Sequence, residues 1–96
     1  MGINKIGVIG CGLMGRGIAE ISARAGYDVV ISEISQELLN KGMQAIDASI
    51  SRAVAAGKVT EDDKKTWLGR MKGTVSVSDF KDCDIVIEAA IEKLVS

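Results

Sequence analysis

A short apolar run, Lys5-Ile6-Gly7-Val8-Ile9, leads straight into Gly10-Cys11-Gly12-Leu13-Met14-Gly15. No other feature restricts the possible folds as much. Lys5–Ile9 reads as a buried strand, because a continuous apolar run suits a sheet covered on both faces. Residues 13–25 follow with Met14, Ile18, Ile21 and Ala25 at spacings of four, three and four. That spacing predicts a helix with those four residues as its inward stripe. Gly26 is placed to end it, since the residue after a helix often takes positive φ. Three glycines at the strand-to-helix corner then describe G-x-G-x-x-G inside a βαβ unit.

Each glycine has a physical reason. Gly10 turns the chain sharply off the strand. Gly12 removes the Cβ that would keep a phosphate away from the backbone. Gly15 lets the helix pack close to the strand. Free N–H groups and the helix dipole then form an anion site at Leu13 and Met14. The bland alternative is a glycine-rich turn with no ligand. Its position after a strand, opening a helix, favours a dinucleotide. Met14 and Ile18 read as core rather than as cofactor contacts.

The next elements fit this unit. Val29-Val30-Ile31 is β-branched throughout and predicts a second strand. Glu33 lies at its end, 18 residues after Gly15 and 23 after Gly10. An acid near that spacing accepts hydrogen bonds from the adenosine ribose and repels a 2′-phosphate, so NAD is favoured over NADP. Ser35 is a cap for a long helix carrying Leu39, Met43, Ile46, Ile50 and Ala53 as far as Gly57. Its length of about 35 Å is unusual for a crossover. Thr60, then Glu61, Asp62 and Asp63, starts another helix with acids at its positive end. Trp67, Leu68 and Met71 are its apolar side, and Gly73 is expected to end it. Strands are predicted at 74–77 and 84–87. The architecture is α/β, a Rossmann-type doubly wound parallel sheet in the order 3-2-1-4.

Composition excludes several alternatives. Ninety-six residues make one domain at most, and 47% apolar with 26% charged is a globular balance. Net charge is −1, with Lys and Arg scattered, which argues against nucleic acid or a membrane surface as partner. No apolar run approaches the ~20 residues that span a bilayer. Residues 1–5 lack the layout of a secretory signal, so a cytoplasmic address is expected. Cys11 and Cys83 fall at opposite ends of neighbouring strands. A five-residue strand spans ~16 Å, whereas bridged Cα atoms lie within about 7 Å. Two free thiols are expected, and no metal site.

Ile6 to Val30, then Glu33, then Ile85-Val86-Ile87-Glu88-Ala89-Ala90-Ile91-Glu92, resembles the NAD domain of 3-hydroxyacyl-CoA dehydrogenases, the 3-hydroxybutyryl-CoA enzymes in particular. The long helical pair and the segment after strand four are its more specific features. The 3-hydroxyisobutyrate and 6-phosphogluconate dehydrogenases share a similar glycine loop but lack both features, and rank second. A non-catalytic nucleotide-binding module is a third reading.

The resemblance implies NAD as cofactor and an acyl-CoA as substrate of an intact enzyme. It implies Glu33 at the adenosine ribose, and Ala90 and Glu92 along the nicotinamide ribose. Ser49 lies where relatives touch the CoA moiety, with Lys58 close by. The family's catalytic base is a histidine held by a glutamate, downstream of this stretch. This chain has no histidine, so it is expected to be catalytically inactive, a partial NAD domain without its catalytic and dimerisation domain. An uncovered fourth strand would then be an apolar edge, from which a homodimer is expected.

Overall fold

The computed structural model describes residues 4–89. Four parallel strands, β1 (Lys5–Ile9), β2 (Asp28–Ser32), β3 (Met71–Thr74) and β4 (Ile85–Glu88), stand in the order β3-β2-β1-β4. Three helices cross between them: α1 (Leu13–Arg24), α2 (Gln36–Ala55) and α3 (Glu61–Gly69). β1 is central, with Val8 opposite Ile31 on one side and Ile87 on the other. This is the doubly wound parallel arrangement expected from the sequence.

Local chemistry sets the helix ends. Ser35 Oγ accepts from Leu38 N–H at 3.2 Å and Thr60 Oγ1 from Asp63 N–H at 3.0 Å. Acids stand in both first turns, Glu37 in α2 and Glu61, Asp62 and Asp63 in α3, where the dipole favours them. Gly26 and Gly57 follow α1 and α2 at φ +107° and +78°. α2 has 20 residues, about 30 Å of helix. It buries Leu39, Gly42, Ile46 and Ile50, with Met43 and Ala53 half-buried beside them. Ile31, Ile46, Ile50, Val8 and Val29 are the largest side chains fully withdrawn from solvent. Each contributes on the order of 1.5–3 kcal/mol of hydrophobic stabilisation.

Two expectations need correction. The third strand is Met71–Thr74, not 74–77, and α3 ends at Gly69 rather than Gly73. Met71 belongs to the sheet, opposite Val29, with Val29 N–H bonded to the Arg70 carbonyl at 2.8 Å. Gly73 lies inside the strand, where a Cβ would come within 3.0 Å of Leu39 Cδ1, so it makes room for α2. Past Thr74 the chain turns away. Thr74 Oγ1 bonds Asp79, Ser76 caps a 3-10 turn at Val77–Phe80, and Val75 is exposed.

The second correction concerns α1. Its buried face is Gly15, Ala19, Ser22 and Ala23, not Met14, Ile18, Ile21 and Ala25. Met14 and Ile21 are exposed, and only Ile18 packs against the core. A helix that must lie this close to the sheet presents its smallest side chains inward. Its far end is fixed by Arg70, which donates to the Ala23 carbonyl, and by Arg24 stacked 4.9 Å over the Trp67 ring.

Asp84 fastens β4 to β1. Its Oδ2 accepts the Asn4 N–H at 2.8 Å and the Lys5 N–H at 3.0 Å. These bonds hold its carboxyl below the usual aspartate range, aided by the Lys5 charge. A lowered carboxyl pKa contributes stability that is present above the unfolded value of about 3.9 and lost as pH falls through the folded one. The denaturation midpoint is therefore expected to drop more steeply below about pH 4 in the wild type than in Asp84→Asn. Parallel midpoint-against-pH curves for the two proteins would count against this role.

Candidate functional site

The corner between β1 and α1 is where sequence and structure converge. Gly10 has φ +100°, which turns the chain off β1 in a conformation that side chains rarely allow. Its N–H bonds the Ser32 carbonyl at the end of β2 at 2.9 Å. Gly12 then caps α1 with extended geometry, and its carbonyl accepts Arg16 N–H at 2.9 Å. Gly15 sits where α1 meets the corner. A Cβ there would lie 1.9 Å from the Gly10 carbonyl oxygen, so only glycine fits.

The start of α1 differs from those of α2 and α3. It has no side-chain cap and no acid in its first turn. A helix leaves its first N–H groups without partners inside the helix. At α2 and α3 a hydroxyl and acids answer them, whereas at α1 the open groups and the dipole face solvent beside exposed Leu13 and Met14. This is the donor set that an anion requires.

Glu33 follows β2 directly and stands beside the same corner. Its Oε2 accepts the Cys11 N–H at 2.6 Å, and its Oε1 accepts the Ile34 N–H at 3.2 Å. Cys11 is buried against α2, where a Cβ on Gly42 would come within 2.0 Å of its Sγ. Burial pushes the Cys11 thiol up and the Glu33 carboxylate adds to this, while Arg16 opposes them. Cys11 and Cys83 both carry free thiols.

Two further residues singled out from the sequence separate in space. Ser49 lines a cleft of about 390 Å³ between α1 and α2. There its hydroxyl donates to Glu20 Oε1 at 3.3 Å. Lys58 lies past the end of α2, exposed, and does not line the cleft. Arg16 and Arg52 do line it. Sequence reading passed over both, although Arg52 is one helical turn after Ser49 and Arg16 follows the glycine loop directly. Ala90 and Glu92 lie outside the described residues.

Among the described residues no helix is long and apolar enough to cross a membrane, and no cluster of three or more His, Cys, Asp or Glu could hold a metal.

The 3-hydroxyacyl-CoA dehydrogenase NAD binding domain model matches residues 5–95. A 3-hydroxybutyryl-CoA dehydrogenase of Bradyrhizobium diazoefficiens is 45% identical over 91 residues, covering 95% of this chain and 31% of the relative. The crystal structure of FadB2 from Mycobacterium tuberculosis superposes with a TM-score of 0.92 at 44% identity, covering 96% of this chain and 32% of that one. The (S)-3-hydroxybutyryl-CoA dehydrogenase PaaH1 of Ralstonia eutropha gives 0.89 at 43% identity, over 93% and 31%. The chain thus spans about a third of the length of these relatives. NAD is the cofactor of this domain. The 3-hydroxyisobutyrate and 6-phosphogluconate alternative gives way, and the chain belongs to the 3-hydroxyacyl-CoA dehydrogenase NAD-binding domain family.

Proposed function

We propose that this chain is the cofactor-binding part of an L-3-hydroxyacyl-CoA dehydrogenase. NAD would lie over the β1–α1 corner, with its pyrophosphate on the backbone of Gly12, Leu13 and Met14 and its adenosine ribose at Glu33. The observation that carries the reading is the uncapped, acid-free start of α1 behind a corner that only glycine can form. Those residues fit the cofactor in charge as well as in shape. The open N–H groups suit phosphates, and the carboxylate suits hydroxyls while opposing a third phosphate.

When bound, NAD supplies the hydride acceptor for oxidation of a 3-hydroxyacyl-CoA to the 3-oxoacyl-CoA. The residues of this chain bind and orient. Gly12 admits the phosphates, Glu33 selects the ribose, and Ala90 and Glu92 are assigned to the nicotinamide ribose. The resemblance implies a histidine as proton acceptor, and the sequence has none, so that role is not assigned to these residues.

For the acyl-CoA, Ser49 in the cleft between α1 and α2 is the supported contact. Arg16 and Arg52 place positive charge beside it. Lys58, exposed past the end of α2 and not lining the cleft, is kept as a second proposed contact. Among the described residues Ile85 and Val86 of β4 are exposed and apolar, and a homodimer is the proposed association. Free thiols on Cys11 and Cys83 support a reducing, cytoplasmic setting.

Calorimetric titration with NAD and NADP tests the reading. NAD is expected to bind at least about tenfold more tightly, the scale of one charged hydrogen-bonding contact. In Glu33→Ala most of that preference is expected to disappear. Equal affinities for the two cofactors in the wild type would overturn the placement of Glu33.

A further inference from the structure

We propose that Glu33 has a second role, as a latch that holds the glycine loop in its binding shape whether or not a ribose is present. This rests on the proposed cofactor site and concerns how that site is built. The loop has few internal means of holding itself. Gly10 is tied through its N–H to the Ser32 carbonyl, and Gly12 through its carbonyl to Arg16. Between them stands Cys11, whose N–H is bonded to Glu33 Oε2 at 2.6 Å. The other carboxylate oxygen accepts from Ile34 N–H, so the side chain is itself fixed. The Cys11 side chain is gripped separately, with its sulfur seated in the space that Gly42 leaves on α2. Cys11 is therefore held on two sides, by α2 through its side chain and by Glu33 through its amide.

A charge-assisted bond to a partly buried amide is stronger than a neutral one. Removing the carboxylate leaves the Cys11 N–H without its partner and frees the residue directly before Gly12. The pyrophosphate cradle then loses definition, even for a ligand that never touches Glu33 through its sugar. A carboxylate that only recognised the ribose would leave such a ligand indifferent to its removal.

Two measurements separate these roles. The first is a cycle between side chain and ligand, using NAD and an NAD analogue whose adenosine ribose lacks both hydroxyls. Titrated against wild type and Glu33→Ala, the latch predicts that the analogue still loses about fivefold to tenfold in affinity. The second is amide hydrogen exchange of Cys11 in the ligand-free chain. Protection is expected in the wild type, a marked loss in Glu33→Ala, and partial recovery in Glu33→Gln, whose amide oxygen can still accept the bond. Glu33→Gln also serves if the alanine variant folds poorly. Equal Cys11 exchange in wild type and Glu33→Ala would overturn the latch, as would an analogue whose affinity ignores the substitution. If the wild type binds neither cofactor, the functional reading fails, and the exchange measurement still decides the latch.

Discussion

Replacing Gly15 with valine is expected to abolish measurable NAD binding and to lower the melting temperature by about 10 °C or more. The Cβ would lie 1.9 Å from the Gly10 carbonyl oxygen and 3.0 Å from its carbon. Both are backbone atoms, so no flexible side chain can swing aside. Either α1 slides along the sheet or the Gly10 turn opens, and each outcome spoils the anion site. Overpacking of this kind costs on the order of 1–3 kcal/mol or more. Each kcal/mol shifts the melting point of a domain this size by roughly 4–8 °C. Gly17, two residues on, is the control, because a Cβ there meets nothing within 4 Å. Gly17→Ala is expected to be neutral or to stabilise by up to ~1 kcal/mol through helix propensity. A Gly15→Val protein that melts with the wild type and binds NAD with unchanged affinity would contradict the close approach of α1 to the corner.

The parts of the fold that were legible in the sequence share one property: their signal is local and redundant. β1 and β2 are uninterrupted apolar or β-branched runs, and the caps at Ser35 and Thr60 are each followed by acids in the first turn. The distance of Glu33 from the glycine loop places it at the end of β2, beside that loop.

The misread parts depend on contacts that spacing does not carry. Met71 continues the spacing of Trp67 and Leu68, which predicts α3 through it. The sheet claims it instead, because Val29 and Arg70 supply the first rung of pairing with β3. Gly73 looked like a helix terminator, yet it is small because Leu39 needs the space. In α1 the large apolar residues suggested the inner face. The demand for close packing reversed this, and Gly15, Ala19 and Ala23 turn inward while Met14 and Ile21 face out.

The site shows the same division. Gly10, Gly12, Gly15 and Glu33, the residues proposed to hold the cofactor, follow from spacing alone. The bond from Cys11 N–H to Glu33 joins residues 22 apart and exists only because β1 and β2 end side by side. Arg16 and Arg52 meet around one cleft because α1 and α2 pack together, which no single helix pattern reveals.

The second large effect bears on the central claim, that the open start of α1 holds the cofactor's pyrophosphate. Gly12 is the N-cap of that start, in extended geometry and half-buried. A branched side chain there would occupy the proposed approach of the phosphates, beside the exposed Leu13 and Met14. Calorimetric titration of NAD into wild type and Gly12→Val is the direct measurement, with thermal melting confirming that both are folded. The expected result is binding of one NAD per chain in the wild type and a loss of at least about a hundredfold in the variant, as when several charged hydrogen bonds fail together. A folded Gly12→Val protein that binds NAD as tightly as the wild type would contradict the account.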